Sequence, residues 1–332
     1  MTIELRTGVQ RPPRPEDYCT KAAATRADDR GCPLWLAVLD RVTKGDKDLQ
    51  AYLQRVAGYC MTGSIKEHTL FFFYGTGANG KSVFLNTLRA IWNDYAVVAP
   101  METFVESSID RHPTELAYLQ GVRLVVAQET AQGRRWDESK IKKLTGGEPI
   151  AARYMRQDFF EFKPQFKLLI AGNHKPALTS VDEAIRRRFH LIPFTVTIPI
   201  EERDKDLSDK LKPEWGGILQ WAVTGCLEWQ RIGLAPPKAV LDATKEYLAE
   251  EDTLARWIDE RCAVDRLQWG IGADLWNNWR SWCEVNREPP GSQKAFAQSL
   301  VARGFPRDRT DAVRGFKGIA LKPDRMGSRY PS

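Results

Sequence analysis

Residues 69–91 read TLFFFYGTGANGKSVFLNTLRAI, and the parsing of this stretch decides the fold. Residues 70–74 are wholly apolar and rich in aromatics, the pattern of a strand buried on both faces of a parallel sheet. Gly75, Thr76, Gly77, Ala78, Asn79, Gly80, Lys81 and Ser82 then satisfy G-x-x-x-x-G-K-[ST], a loop whose backbone N–H groups wrap phosphate oxygens. Each residue type has its reason there. The glycines let the backbone turn tightly against a nucleotide, the Lys81 ammonium reaches the β and γ phosphates, and the Ser82 hydroxyl is a ligand for Mg²⁺. Phe84, Leu88 and Ile91 fall at i, i+4 and i+7, which predicts a helix with one face on the sheet and its N-terminus aimed at the phosphates.

Outside this stretch the composition is that of a globular protein. The chain has 332 residues, 42% of them hydrophobic and 28% charged, enough for about two domains with real cores. A net charge of +6 and a pI near 8.9 allow a polyanionic partner. Cysteines at 19, 32, 60, 226, 262 and 283 form no C-x-x-C pair and have no histidine at metal spacing, so neither a zinc site nor a disulfide framework is expected. No run approaches the ~18 apolar residues of a membrane span, and the N-terminus lacks the apolar core of a signal peptide. The expected location is cytoplasmic, with no membrane partner.

Residues 1–30 are polar and without period, and are expected to be partly disordered. Trp35, Val38, Leu39 and Val42 form one apolar stripe and Leu49, Leu53, Val56 and Cys60 a second, so residues 31–66 are expected as a helical collar before the ATPase core of residues 67–198. Within that core a short helix is expected at 115–119 and a second buried strand at 122–127, ending at Gln128 and Glu129. Ligands of open α/β sheets bind at the carboxyl ends of strands, which places Glu129 beside the phosphate loop, where it completes the Mg²⁺ shell or polarises the attacking water; the bland alternative is a surface carboxylate. A third strand at 167–171 ends in Gly172 and Asn173, and a fourth at 189–194 follows Arg186, Arg187 and Arg188. Two further helical stripes, Ile218 to Trp229 and Val240 to Leu248, predict a helical lid over residues 199–250.

The loop, the strand ending in Glu129, the run TGGEPIAARYMRQDFFEFKPQFKLLIAGNHKP at 145–176 and RRRFHLIPF at 186–194 together resemble the superfamily 3 helicases. They are most similar to the helicase part of the phage and plasmid primase-helicases, relatives of the poxvirus primase-helicase. The resemblance implies an AAA+-like P-loop NTPase sheet, a homo-hexameric ring and ATP-driven translocation on single-stranded DNA. It also implies roles. Lys81 and Ser82 belong to the first motif, Glu129 is the catalytic acid, Asn173 the polar sensor near the γ phosphate, and Arg187 and Arg188 the paired arginines, one of them a finger for the neighbouring subunit. Gln128 stands where an acid is frequent and Arg186 where a tryptophan is common, so the choice of finger among Arg186, Arg187 and Arg188 stays open.

Residues 134–167 carry nine basic and five acidic residues. Superfamily 3 members place a channel hairpin here, and aromatics interleaved with Arg153, Arg156 and Lys163 suit single-strand binding. Residues 251–325 are expected as a winged-helix-like DNA-binding domain of three helices and a basic hairpin, with 293–303 as recognition helix, before a tail at 326–332. Trp276, Trp279 and Trp282 are expected in its core. The fold expected is therefore α/β, and the function an ATP-dependent DNA helicase of phage, plasmid or integrated-element replication, using ATP and Mg²⁺. The part before residue 30 is expected to be too short for a primase domain, so the chain is expected to be a stand-alone helicase, a truncated product or a module used beside a separate primase. The alternative is a replication initiator or interference factor that binds DNA, assembles with ATP and unwinds little.

Overall fold

The computed structural model describes residues 1–107, 114–128, 133–179, 181–309 and 313–323. The chain divides into two compact units, Met1–Glu251 and Asp252–Ser332.

The first unit begins with a two-stranded ladder, β1 (Thr2–Ile3) against β2 (Gln10–Arg11). Asp17 ties it down by accepting hydrogen bonds from Thr2 Oγ1 and the Arg14 amide, each 3.0 Å, and pairing with Arg11. Gln230 Nε2 donates to the Leu5 carbonyl at 2.7 Å, and the Ala24 amide to that of Ile91 at 2.9 Å. Residues 1–30 thus have more order than their composition suggests, because polar side chains and amides bind them to the body, a signal that hydrophobic period does not carry.

Helices α1 (Pro33–Val42) and α2 (Lys47–Cys60) follow, the second capped by Asp46, whose carboxylate accepts from the Leu49 amide at 2.9 Å. Next come β3 (Leu70–Tyr74), α3 (Lys81–Trp92), β4 (Ala96–Val98), α4 (Thr114–Ala117), β5 (Leu124–Gln128) and α5 (Glu138–Gly146). The hairpin β6 (Ile150–Ala152) and β7 (Phe160–Phe162) leads into β8 (Lys167–Gly172), α6 (Glu183–Arg186), β9 (Phe189–Pro193), α7 (Leu207–Leu211), α8 (Trp215–Ile232) and α9 (Lys238–Glu251).

Five of these strands form one parallel sheet in the order β4-β5-β8-β3-β9. The apolar runs alternate between its two faces. Phe71, Phe73, Val126, Leu169 and Ile192 enter a core shared with α1, α2, α3 and α8, while Leu70, Phe72, Val125, Leu168 and Leu191 enter a second with α5 and α9. The stripes of residues 199–250 are buried in these cores: Ile218, Ala222, Cys226 and Trp229 of α8 in the first with Val240 of α9, and Tyr247 and Leu248 of α9 in the second. Helices α2 and α8 touch backbone to backbone: a Cβ at Gly58 would lie 2.0 Å from the Cys226 amide nitrogen, and one at Gly225 would lie 2.0 Å from the Gln54 carbonyl.

In the second unit, α10 (Thr253–Arg261), β10 (Cys262–Ile271), α11 (Gly272–Asn286), α12 (Gln293–Ala302), β11 (Arg307–Arg309) and β12 (Arg314–Leu321) surround one core, with an antiparallel sheet in the order β10-β12-β11. Trp257, Trp279 and Trp282 are buried there, Trp279 stacking on Phe296 with 5.9 Å between centroids, while Trp276 packs at the core's margin. Strand β10 was not legible. A bulge between Val264 and Trp269 interrupts its register, and Val264 to Gln268 are all exposed in succession, so it shows no alternation.

Candidate functional site

The phosphate loop spans the turn from β3 into α3, and its conformation explains its glycines. Gly75, Gly77 and Gly80 have φ of 153°, 95° and 85°, and Ala78 between them has 47°. Gly75 is the strictest of these, since a Cβ there would stand 2.0 Å from the Phe194 carbonyl oxygen. Two bonds fasten the loop to the chain leaving β9: Asn79 Nδ2 donates to the Phe194 carbonyl at 2.8 Å, and the Ile198 amide to that of Ala78 at 2.8 Å.

Lys81, buried at the first position of α3, donates to the Gly75 carbonyl at 2.7 Å, to Asn79 Oδ1 at 3.2 Å and to Asn173 Oδ1 at 3.2 Å. Burial lowers its pKa, and these three oxygens oppose that by solvating the ammonium. Thr76, Ala78 and Ser82 are exposed around it, at the N-terminus of a helix whose free amides favour an anion. Asn173 follows β8, which lies between β3 and β5, so a residue 92 positions from Lys81 meets the loop through strand order. The expected catalytic acid, Glu129, lies outside the described residues. Gln128 ends β5 and donates from Nε2 to Asn86 Oδ1 on α3 at 2.9 Å. Among the described residues no cluster of three or more His, Cys, Asp or Glu side chains could hold a metal by itself.

The three arginines lie at the other edge of the sheet. β9 runs parallel to β3 with Phe189 opposite Leu70 and Pro193 opposite Tyr74, so Arg186, Arg187 and Arg188 precede the strands' amino ends. At ~3.3 Å per residue, five strand residues put them roughly 15 Å from the chain's own loop. They also differ among themselves. Asp182 caps α6, accepting from the Ile185 amide at 2.8 Å, and this turn directs Arg188 inward, where Nε donates to Thr145 Oγ1 at 3.0 Å and Nη1 to the Ala184 carbonyl at 2.7 Å. Arg188 is buried, and Arg186 and Arg187 are exposed.

The hairpin also rises from the amino edge. Ile150 pairs with Phe162 and Ala152 with Phe160, and Arg156, with φ of 61°, turns the tip. Arg156 and Lys163 are exposed and Arg153 is half-buried. The aromatics divide. Phe162 and Phe166 belong to the core, Tyr154 stacks on Phe160 at 5.4 Å, and the Arg153 guanidinium lies 4.8 Å from the centre of the Phe159 ring. Lys167, part of the same basic segment, is buried and takes no part in a basic surface. Its ammonium donates to the carbonyls of Thr62, Ser64 and Gln165 and sits 4.8 Å from the Tyr59 ring, and burial pushes its pKa down to about 7.

Sequence reasoning also missed Thr145. Its hydroxyl takes the Arg188 bond, and its carbonyl oxygen lies 2.8 Å from His68 Nδ1, just ahead of β3. A threonine near a helix end carries no periodic signal that could have singled it out.

Comparison with known proteins adds three findings. Residues 73–188 match a family model described as "Family of unknown function (DUF5906)". The chain is 29% identical over 265 residues to "Putative helicase L207/L206" of Acanthamoeba polyphaga mimivirus, covering 73% of this chain and 27% of that protein. It is 26% identical over 310 residues to "Putative helicase 022R" of Frog virus 3, covering 85% and 31%, and 26% identical over 169 residues to "Primase D5" of Fowlpox virus, covering 48% and 21%. The chain thus spans about a third or less of the length of these relatives. Among solved structures, the apo C-terminal region of NrS-1 matches with a TM-score of 0.53 at 14% identity, over 85% of this chain and 66% of that one, a likeness of fold.

Proposed function

We propose that this chain, a superfamily 3 primase-helicase-like protein, is an ATP-dependent DNA helicase of phage, plasmid or integrated-element replication that translocates on single-stranded DNA as a homo-hexameric ring. The observation that carries the reading is the Lys81 ammonium, held at the carboxyl edge of the parallel sheet by Gly75, Asn79 and Asn173. These partners keep the cation in place until phosphate oxygens replace them. Asn173, already within 3.2 Å of that cation, is then positioned to orient water at the γ phosphate. Mg²⁺ normally takes one or two protein oxygens and completes its shell with phosphates and water, and the exposed Ser82 hydroxyl with Glu129 fits that donor set. When bound, the ion neutralises charge on the β and γ phosphates. Gln128, a neutral side chain already committed to Asn86, leaves the acid role to Glu129.

A finger about 15 Å from its own loop serves a neighbouring copy. With Arg188 buried on Thr145, Arg187 is the member of the pair we assign to it. Helices α1 and α2 take the collar position, and the hairpin bearing Arg153, Arg156 and Lys163 contacts the single strand. In the second unit the succession helix, strand, helix, helix, strand, strand and the sheet order β10-β12-β11 support a winged helix for duplex DNA, with α12 as recognition helix. Residues 303–322, which follow it in the sequence, include six basic and two acidic residues.

ATP hydrolysis by size-fractionated oligomers tests the reading, with and without single-stranded DNA and alongside separation of a forked duplex. The helicase reading expects stimulation by single strands and strand separation. An oligomer that hydrolyses ATP no faster with single strands and leaves the fork intact is instead an initiator that uses ATP to assemble.

A further inference from the structure

The hairpin tip exposes more apolar surface than phosphate contact explains. Met155 is 73% exposed, Phe159 59% and Tyr154 43%, all on one short turn. Large apolar side chains grouped in solvent mark a contact surface. Charge at the tip is small: residues 153–163 hold three basic side chains, Arg153, Arg156 and Lys163, and two acidic ones, Asp158 and Glu161. An excess of one charge releases few counterions, so phosphates alone bring the tip little affinity.

The rings do two different jobs. Tyr154 is stacked on Phe160 and its hydroxyl donates to the Ala117 carbonyl at 3.4 Å, while Phe160 leans on buried Phe162, 6.1 Å between centroids. That ladder belongs to the body of the protein. Phe159, in the turn just ahead of β7, stands largely in solvent instead. One side of its ring is covered by the Arg153 guanidinium, 4.8 Å from the centroid, and the ring is otherwise largely in solvent.

We infer that Phe159 is a stacking platform for a base of single-stranded DNA, with Arg153 behind it as a positioning residue. The inference rests on the single-strand reading above and changes one assignment within it, since Arg153 acts through the ring instead of on a phosphate. Every base has a π face, so such a platform is indifferent to sequence, as movement along a strand requires. A base is also a better occupant than an apolar side chain of a neighbouring copy. Arg156 and Lys163 are exposed on the same hairpin, and an apolar partner would desolvate them without compensation, whereas the phosphates flanking a stacked base would pair with them.

The full chain, its binding measured on oligo-dT and on an abasic oligonucleotide of equal length, tests the platform. Base–aromatic stacking is worth ~1–3 kcal/mol, so Phe159→Ala should bind oligo-dT roughly tenfold more weakly and leave abasic binding and the salt slope unchanged. Phe159→Trp should bind oligo-dT at least as well as the wild type, and Phe159→Leu should behave like the alanine variant. Arg153→Ala should lose part of the oligo-dT affinity with no change in salt slope. A 2-aminopurine placed in the oligo-dT should be quenched by the wild type and less so by Phe159→Leu. Equal losses on both oligonucleotides, a leucine variant as good as phenylalanine, or loss of oligomer with DNA binding intact would overturn the platform. A wild-type chain that binds neither oligonucleotide rejects the single-strand reading itself.

Discussion

The two edges of the parallel sheet are built on different plans. At the carboxyl edge, Lys81, Asn79 and Asn173 are locked together by hydrogen bonds and two of them are buried, so the pocket's shape is set within one chain. At the amino edge, Arg187, Met155, Arg156 and Phe159 stand in solvent, and only their supports, Arg188 and Phe162, are buried. One edge holds its ammonium with partners from its own chain. The other presents side chains whose proposed partners, a neighbour's nucleotide and a DNA strand, lie outside the chain.

The contrast predicts a hierarchy of effects. The largest is at Arg187: as a finger in trans, Arg187→Ala should lower ATP hydrolysis by ~10³-fold or more while leaving nucleotide affinity unchanged. Mixing it with Lys81→Ala should recover turnover at interfaces that keep one intact group of each kind. Failure to recover in proven mixed oligomers would erase the distinction between the edges. Arg188→Ala should behave differently. It leaves Thr145 and the Ala184 carbonyl without their guanidinium and should cost about 1–3 kcal/mol of stability, read as a lower melting temperature.

Next in size is a pH effect at the strand joining the edges. Burial holds His190, in β9 and bonded to the Tyr52 hydroxyl, at a pKa of about 4 against 6.5. A base whose folded pKa is lowered stays neutral in the fold while the unfolded chain takes up a proton. Stability should therefore fall as pH drops from 6.5 to about 4 and level off below, by about 3 kcal/mol at most at ~1.4 kcal/mol per pKa unit. Thermal melts across that range check it, and His190→Gln should flatten the curve. Because β9 serves both edges, nucleotide and DNA binding should fail together on acidification.

The smallest effect is at Lys163, an exposed hairpin residue. Lys163→Ala should weaken binding of single strands uniformly and flatten the logarithmic salt slope by about 0.7, one phosphate's worth. An unchanged slope would remove it from the DNA contacts.

Legibility in the sequence follows the same division. The carboxyl edge was readable because loop, strand and helix are contiguous and each carries its own period; Asn173 was visible at a strand end, and only the family resemblance gave it a role. At the amino edge the run of arginines was visible, but the turn of α6 decides which one is buried, and no residue type distinguishes Arg187 from Arg188. Phe159 and Phe162 likewise look alike until packing buries Phe162 in the core and leaves Phe159 in solvent. The helices of residues 199–250 were legible as helices, yet which core each stripe enters is a question of packing that the stripe leaves open.

Thr145 gives the amino edge a mechanical character. Its hydroxyl holds Arg188 just after α6, its carbonyl holds His68 just before β3, and Gly146 to Pro149 connect it directly to the buried base of the hairpin at Ile150. On the proposed reading, a displacement of α6 would reach the hairpin through one hydrogen bond and a few residues of chain, and Thr145→Val, which keeps the shape and removes the hydroxyl, should uncouple the two.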